Sequence, residues 1–200
     1  MSRKLRFATE DDASAISAIY SPVVRGTAIS FEVEPPSVEE MVRRIAKITA
    51  AYPWLVCEEA GAIQGYAYAS QHRERAAYQW SVDVSVYVHE DWRGKRIGRA
   101  LYTSLFAMLR SLGYVNVYAG ITLPNPASVG LHEAMGMAPI GVYPHTGYKL
   151  GEWHDVGWWQ GVLQERVFDP EPPRALQDIA TIATWDRWLA TGELPPWTKP

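Results

Sequence analysis

Cysteine is almost missing from these 200 residues: Cys57 stands alone, which excludes a disulfide framework and a cysteine-built metal centre. Cys57 lies in the apolar run 54–57, where a buried, inert thiol is expected. No stretch approaches the roughly 20 apolar residues of a membrane span. The opening MSRKLRFATEDD has basic residues with no apolar segment behind them, so no secretory leader is expected. Nor is one sign of charge in excess. Nineteen Lys and Arg face 22 Asp and Glu, a net charge of −3, which removes any general attraction to nucleic acid or an anionic membrane. No internal repeat or low-complexity tract appears. The expectation is a cytoplasmic domain large enough to bury a real core, with no metal, nucleic-acid or membrane partner. Aromatics are plentiful: nine Trp and eleven Tyr imply broad packing surfaces or an aromatic-lined site.

Periodicity gives the order of elements. Residues 5–8 read as a strand. Thr9 and Asp12 then resemble a capping box opening a helix to about Tyr20, and 22–36 reads as irregular around Phe31. Ser37 and Glu40 form a second capping box, followed by Met41, Ile45, Ile48 and Tyr52 at helical spacing. Residues 54–58 and 63–70 suggest a hairpin, and 72–76 a polar loop. Over 80–88 alternation is strict: Val82, Val84, Val86 and Val88 on one face, Ser81, Asp83, Ser85 and Tyr87 on the other. The valine face requires a core. The other face sets a carboxylate beside hydroxyls, which a purely structural strand does not need.

A basic segment, Arg93-Gly94-Lys95-Arg96-Ile97-Gly98, opens a helix with the stripe Ile97, Leu101, Leu105, Met108 and Leu112, closed by Gly113. Residues 115–121 form a strand, Asn125-Pro126 begin a short helix ended by Gly136, and 140–143 and 153–159 close as strands. This order is α+β with a mixed sheet, not a Rossmann alternation. From Phe168 the composition changes, so the reading is a domain over 1–167 and an extension over 168–200 with a helix at 175–189. The strand feeding Arg93–Gly98 is the strongest chemical signal. Free N–H groups at a helix start, the helix dipole behind them and Arg93, Lys95, Arg96 and Arg99 around them suit an anion.

The run VYVHEDWRGKRIGRAL (86–101) resembles the acetyl-CoA pyrophosphate loop of the GNAT superfamily, whose pattern is Arg/Gln-x-x-Gly-x-Gly/Ala. FEVEPP (31–36), AYPWLVCEEAGAIQGYAYAS (51–70), AYQWSVDVSVYV (77–88), LPNPASVGLHEAMG (123–136) and GYKLGEWHDVGWWQ (147–160) are similar, in order, to the phosphinothricin acetyltransferase branch. The resemblance covers about 5–162. It implies a central strand that splays from its neighbour to admit the pantetheine arm. Val86, Tyr87 and Val88 would meet that arm, Arg93, Gly94, Lys95, Arg96, Ile97, Gly98 and Arg99 the diphosphate, and Asn125 and Ser128 the distal side.

The resemblance also implies a Glu base on the central strand and an assisting His on the last helix. Asp83 and His132 occupy those positions, Asp83 being one methylene shorter, so that a relaying water is expected. Without the family, Asp83 reads as paired with Arg75 or Arg73. Phe31, Arg75 and Tyr78 fall at the acceptor pocket, where an Arg fork suits a carboxylate or phosphinate. Arg96 replaces the loop's first glycine; a positive φ there would be strained. The adjacent His154 and Asp155 point to opposite faces and take a structural or dimer-interface role. Three readings stay open: an N-acetyltransferase for a small amino-acid-like acceptor, a protein or peptide N-terminal acetyltransferase, and a non-catalytic acyl-CoA binding module. Homodimers are common in the family.

Overall fold

In a computed structural model that describes residues 3–59, 61–176 and Leu189, one seven-stranded sheet organises the chain. The strands are β1 (Lys4–Phe7), β2 (Trp54–Glu59), β3 (Ala62–Gln71), β4 (Ser81–Val88), β5 (Asn116–Leu123), β6 (Ala138–Lys149) and β7 (Glu152–Val162), ordered β1-β2-β3-β4-β5-β7-β6. The helices are α1 (Ala13–Gly26), α2 (Val38–Thr49), α3 (Ile97–Leu112) and α4 (Pro126–Ala134). The α+β class and mixed sheet agree with the sequence reading.

Strand alternation assigns each residue to one of two cores. On one face Leu55, Cys57, Ala67, Ala69, Val82, Val84, Val117 and Ala119 pack against the stripe of α3. On the other, Trp54, Val56 and Tyr66 pack against Ile16, Ile19 and Tyr20 of α1 and Met41 and Ile45 of α2. Cys57 is fully buried, and burial pushes its thiol up to about 11, so it stays protonated and unreactive. Gly65 lets α3 start close to the sheet: a Cβ there would stand 2.9 Å from both Ile97 Cγ2 and the Tyr87 carbonyl.

The feature that makes a site is a split. β4 and β5 run parallel but pair only at Ser81–Asn116, Val82–Val117 and Asp83–Tyr118. Beyond Asp83, β4 pairs on its other edge with β3 alone, while β5 continues against β7 to Leu123. Between them lie backbone groups without strand partners in the middle of the sheet.

The sequence reading needs two corrections here, to the end of the first helix and to the last two strands. The first helix runs to Gly26, through Pro22, rather than stopping near Tyr20. Proline forfeits one i→i−4 hydrogen bond, but buried Val23 and Val24 continue the apolar stripe and outweigh it. The last two strands form a long hairpin instead of two short runs; a register irregularity between Tyr143 and Gly147 absorbs Pro144 and the positive φ of His145. Segment 163–176 runs back along the domain. The Leu163 N–H donates to the Val115 carbonyl at 2.8 Å, the Arg174 N–H to the Leu112 carbonyl at 2.8 Å, and the Trp80 indole to the Glu171 carbonyl at 2.8 Å. The helix expected at 175–189 lies, apart from Ala175 and Leu176 at one end and Leu189 at the other, outside the described residues.

Candidate active site

The split opens a cleft of about 490 Å³, lined by Val86, Tyr87 and Val88 of β4, by Arg93, Gly94, Arg96, Ile97, Gly98 and Arg99, and by Asn125 and Ser128. Every residue assigned to the cofactor from sequence lines it except Lys95, whose ammonium sits 4.0 Å over the Trp92 ring. Arg93, Arg96 and Arg99 make no side-chain hydrogen bond or ion pair among the described residues, so their guanidinium groups surround the α3 N-terminus without an anion partner. A helix start with free N–H groups and convergent cations suits a phosphate. Arg96 has φ 63° and ψ 14°, left-handed, where the loop's usual glycine is at ease. Gly98 is needed for closeness: a Cβ there would meet Leu131 Cδ2 at 3.0 Å. The Asn125 side chain is committed to capping α4, accepting from the Ser128 N–H at 3.1 Å.

Deeper, where the strands diverge, the floor is formed by Ser85, Val86, Gly120, Ile121, Thr122, Tyr102 and His132. His132 is 3% exposed and both its nitrogens are occupied. Nδ1 donates to the Ser128 carbonyl at 2.7 Å, which can only accept, so Nε2 carries the lone pair and accepts from the Tyr102 hydroxyl at 3.0 Å. Burial lowers its pKa, against the opposing Ser128 bond, and keeps the ring neutral.

Asp83 approaches from the other face. Its partner is not an arginine: Arg73 donates to the His72 carbonyl at 2.8 Å, and Arg75 makes no side-chain hydrogen bond among the described residues. Asp83 Oδ1 lies 2.7 Å from His72 Nδ1. Burial raises the Asp83 pKa, with the His72 contact and the Arg73 charge opposing. His72 is the partner of Asp83 that the sequence reading missed. It sat in a loop with no motif around it, and only the β3–β4 register, Ser70 against Asp83, brings it over the carboxylate.

The acceptor residues Phe31, Arg75 and Tyr78 line neither the cleft nor its floor. Tyr78 is exposed and sets its ring 5.9 Å from His72, edge to face. Phe31 lies over Gly147, where a Cβ would overlap its ring, and 6.2 Å from the His154 ring. Arg75 is exposed on the intervening loop. Residues 27–36 are held down firmly. Glu32 takes Arg44 Nη1 at 2.7 Å and the Tyr20 hydroxyl at 2.9 Å, and the buried Lys149 ammonium donates to the Val24 and Ser30 carbonyls, each at 2.6 Å. His154 Nε2 meets the Lys149 carbonyl at 2.9 Å and Asp155 accepts from the His145 N–H at 2.7 Å, two separate structural contacts instead of a dyad.

Known proteins resemble this chain in both sequence and fold. A family model described as an acetyltransferase (GNAT) domain matches residues 5–158. Phosphinothricin N-acetyltransferase of Streptomyces viridochromogenes is 37% identical over 180 residues, 90% of this chain and 96% of that one. An L-amino acid N-acyltransferase of Escherichia coli is 36% identical over 164 residues, covering 82% and 95%. The crystal structure of a phosphinothricin acetyltransferase from Sinorhizobium meliloti in complex with AcCoA superposes with a TM-score of 0.81 at 37% identity, over 90% of this chain and 98% of that one. With the split sheet, the phosphate-type loop and these matches together, the chain belongs to the GNAT acetyltransferase family.

Proposed function

We propose that this protein transfers the acetyl group of acetyl-CoA to the amino group of a small, amino-acid-like acceptor of the phosphinothricin or methionine sulfoximine type. The observation that carries the reading is the β4–β5 split, with unpartnered guanidinium groups at its mouth and Asp83 at its apex. The acetyl-CoA phosphates suit the α3 N-terminus and Arg93, Arg96 and Arg99, and the pantetheine arm suits the unpaired edge Val86–Val88. An ammonium cannot attack a thioester, so a proton must leave the acceptor first, and Asp83, at the apex, serves that transfer either directly or through a relaying group. Attack builds an oxyanion that free strand N–H groups stabilise. His132 assists from the floor through its bond to Tyr102, without contacting the amine.

The pinned segment 27–36 favours a small acceptor over a polypeptide, which requires an open groove. Phe31 and Tyr78 would wall its stem and Arg75 would pair with its acid group. Residues 1–167 form the catalytic unit, with 168–200 as an extension, and the exposed apolar residues of β6 and β7, Val142, Tyr143 and Trp153, suit a homodimer. A cytoplasmic setting fits the single reduced-type cysteine.

Asp83→Ala is expected to lower turnover at least about tenfold, because general-base contributions run from about 10² to 10⁴, with acetyl-CoA affinity unchanged. Arg75→Ala is expected to raise KM for carboxylate-bearing acceptors only. Unchanged turnover would remove Asp83 from the mechanism, and an equal KM effect on an acceptor lacking the acid would remove Arg75.

A further inference from the structure

We propose that His72 is the group that takes the proton from the acceptor amine, and that Asp83 acts behind it as the carboxylate that orients its ring. This inference rests on the acetyltransferase reading and specifies its acid–base residue. The Asp83–Tyr118 pair is the last rung joining β4 to β5 before the sheet splits. His72 lies over that rung: Nδ1 is 2.7 Å from Asp83 Oδ1, and the ring stacks on Tyr118 with centroids 4.3 Å apart and planes within 15°. Residues two positions further along each strand, Ser85 and Gly120, form the cleft floor, and alternation puts them on the same face as Asp83 and Tyr118. The imidazole therefore stands at the apex of the split, on the face opposite His132.

Its chemistry follows from the hydrogen bond. An ionised carboxylate only accepts, so Nδ1 carries the hydrogen and Nε2 the free lone pair. Nε2 makes no protein hydrogen bond among the described residues and is not fully buried, the side chain being 11% exposed. Asp83 is too short to reach as far as a Glu, and the ring extends it by the width of an imidazole. Orientation is fixed from several sides. Tyr118 stacks below, its hydroxyl accepting from Gln160 Nε2 at 3.0 Å, while Tyr78 and Trp158 stand at the edges with centroids 5.9 and 6.5 Å away. The titratable and charged groups facing the ring are Asp83, Tyr78 and Tyr118, with Arg73 adjacent in sequence.

The proton balance is complete. Nε2 removes one proton from R–NH₃⁺, and the imidazolium is held by Asp83. The amine nitrogen bonds to the thioester carbon, the C–S bond breaks, the second amine proton passes to the departing thiolate, and His72 returns its proton to solvent.

Two variants separate a base from a positioning group. His72→Phe keeps a ring to stack on Tyr118 and removes both nitrogens. His72→Asn keeps a donor for Asp83 and removes only the base. Steady-state acetylation is measured across pH on the full-length protein, with acetyl-CoA binding by calorimetry as the check on folding. The expected result is a fall in kcat of at least about tenfold in both variants, unchanged acetyl-CoA affinity, and loss of the acid limb that wild type shows. Retained activity in His72→Asn, or in both, overturns the proposal while leaving the acetyltransferase reading standing. A wild-type protein that acetylates no acceptor overturns that reading and the dyad with it.

Discussion

At the residue scale, two positions carry opposite kinds of cost. Arg96 holds a left-handed backbone, φ 63°, at the start of α3. For a residue with a Cβ this costs on the order of 1 kcal/mol. Arg96→Gly should therefore raise the melting temperature by about 2–4 °C in a chain of this length. Differential scanning calorimetry checks this, and an unchanged or lower midpoint contradicts it. Acetyl-CoA affinity then reports separately on the guanidinium: weaker binding marks a charge contact, tighter binding the relief of strain. Asp83 carries the other cost. Burial raises its folded pKa above the unfolded value, so its contribution to stability is present at low pH and lost as pH rises through the folded value. Asp83→Asn should melt higher than wild type at neutral pH, with the difference shrinking as pH falls and Asp83 takes up its proton, while turnover drops. A difference that grows on acidification contradicts the assignment. Neither cost was fully legible in the sequence. The missing loop glycine could be seen at Arg96, but its φ could not, and the Asp83 partner depended on a register that no local pattern encodes.

At the element scale, the strongly periodic segments were legible and the boundaries set by tertiary contact were not. The valine alternation of β4, the stripe of α3 and the Asn125-Pro126 start of α4 all appear as read. The helix end expected near Tyr20 is moved on by buried Val23 and Val24, which carry α1 past Pro22 to Gly26. Of the segment 22–36, expected to be irregular, 22–26 is helical and 27–36 is irregular. Its order comes from Lys149, more than a hundred residues away, whose two hydrogen bonds join the end of α1 and the segment to the β6–β7 turn. Lys149→Met leaves the Val24 and Ser30 carbonyls unpaired and should cost about 1–3 kcal/mol, read as a lower urea midpoint. The acceptor KM should rise while acetyl-CoA affinity holds, since the cofactor cleft does not include Lys149. Unaltered stability and KM would show that the segment is held by Glu32 and Phe31 alone.

At the scale of the whole molecule, two faces of one sheet meet at a single opening. His132 and Tyr102 belong to the α3–α4 side; Asp83, His72, Tyr118 and Trp158 belong to the other. A cofactor lying along the α3 start and an acceptor arriving over His72 would thus meet at the point where β4 leaves β5. The family was legible because its motifs are local runs: a loop, a cap and an alternating strand. The acceptor pocket was less so, because Phe31, Arg75 and Tyr78 come from distant segments and line neither the cleft nor its floor. On this arrangement the cleft serves acetyl transfer to a small amino acid. That transfer is tested most directly by acetyl-CoA-dependent thiol release against phosphinothricin, methionine sulfoximine, methionine sulfone, the twenty amino acids and a few N-terminal peptides. Saturable release with an amino acid or its analogue, and not with the peptides, is the predicted result. Release confined to the peptides, or none across the panel while acetyl-CoA still binds, would contradict it.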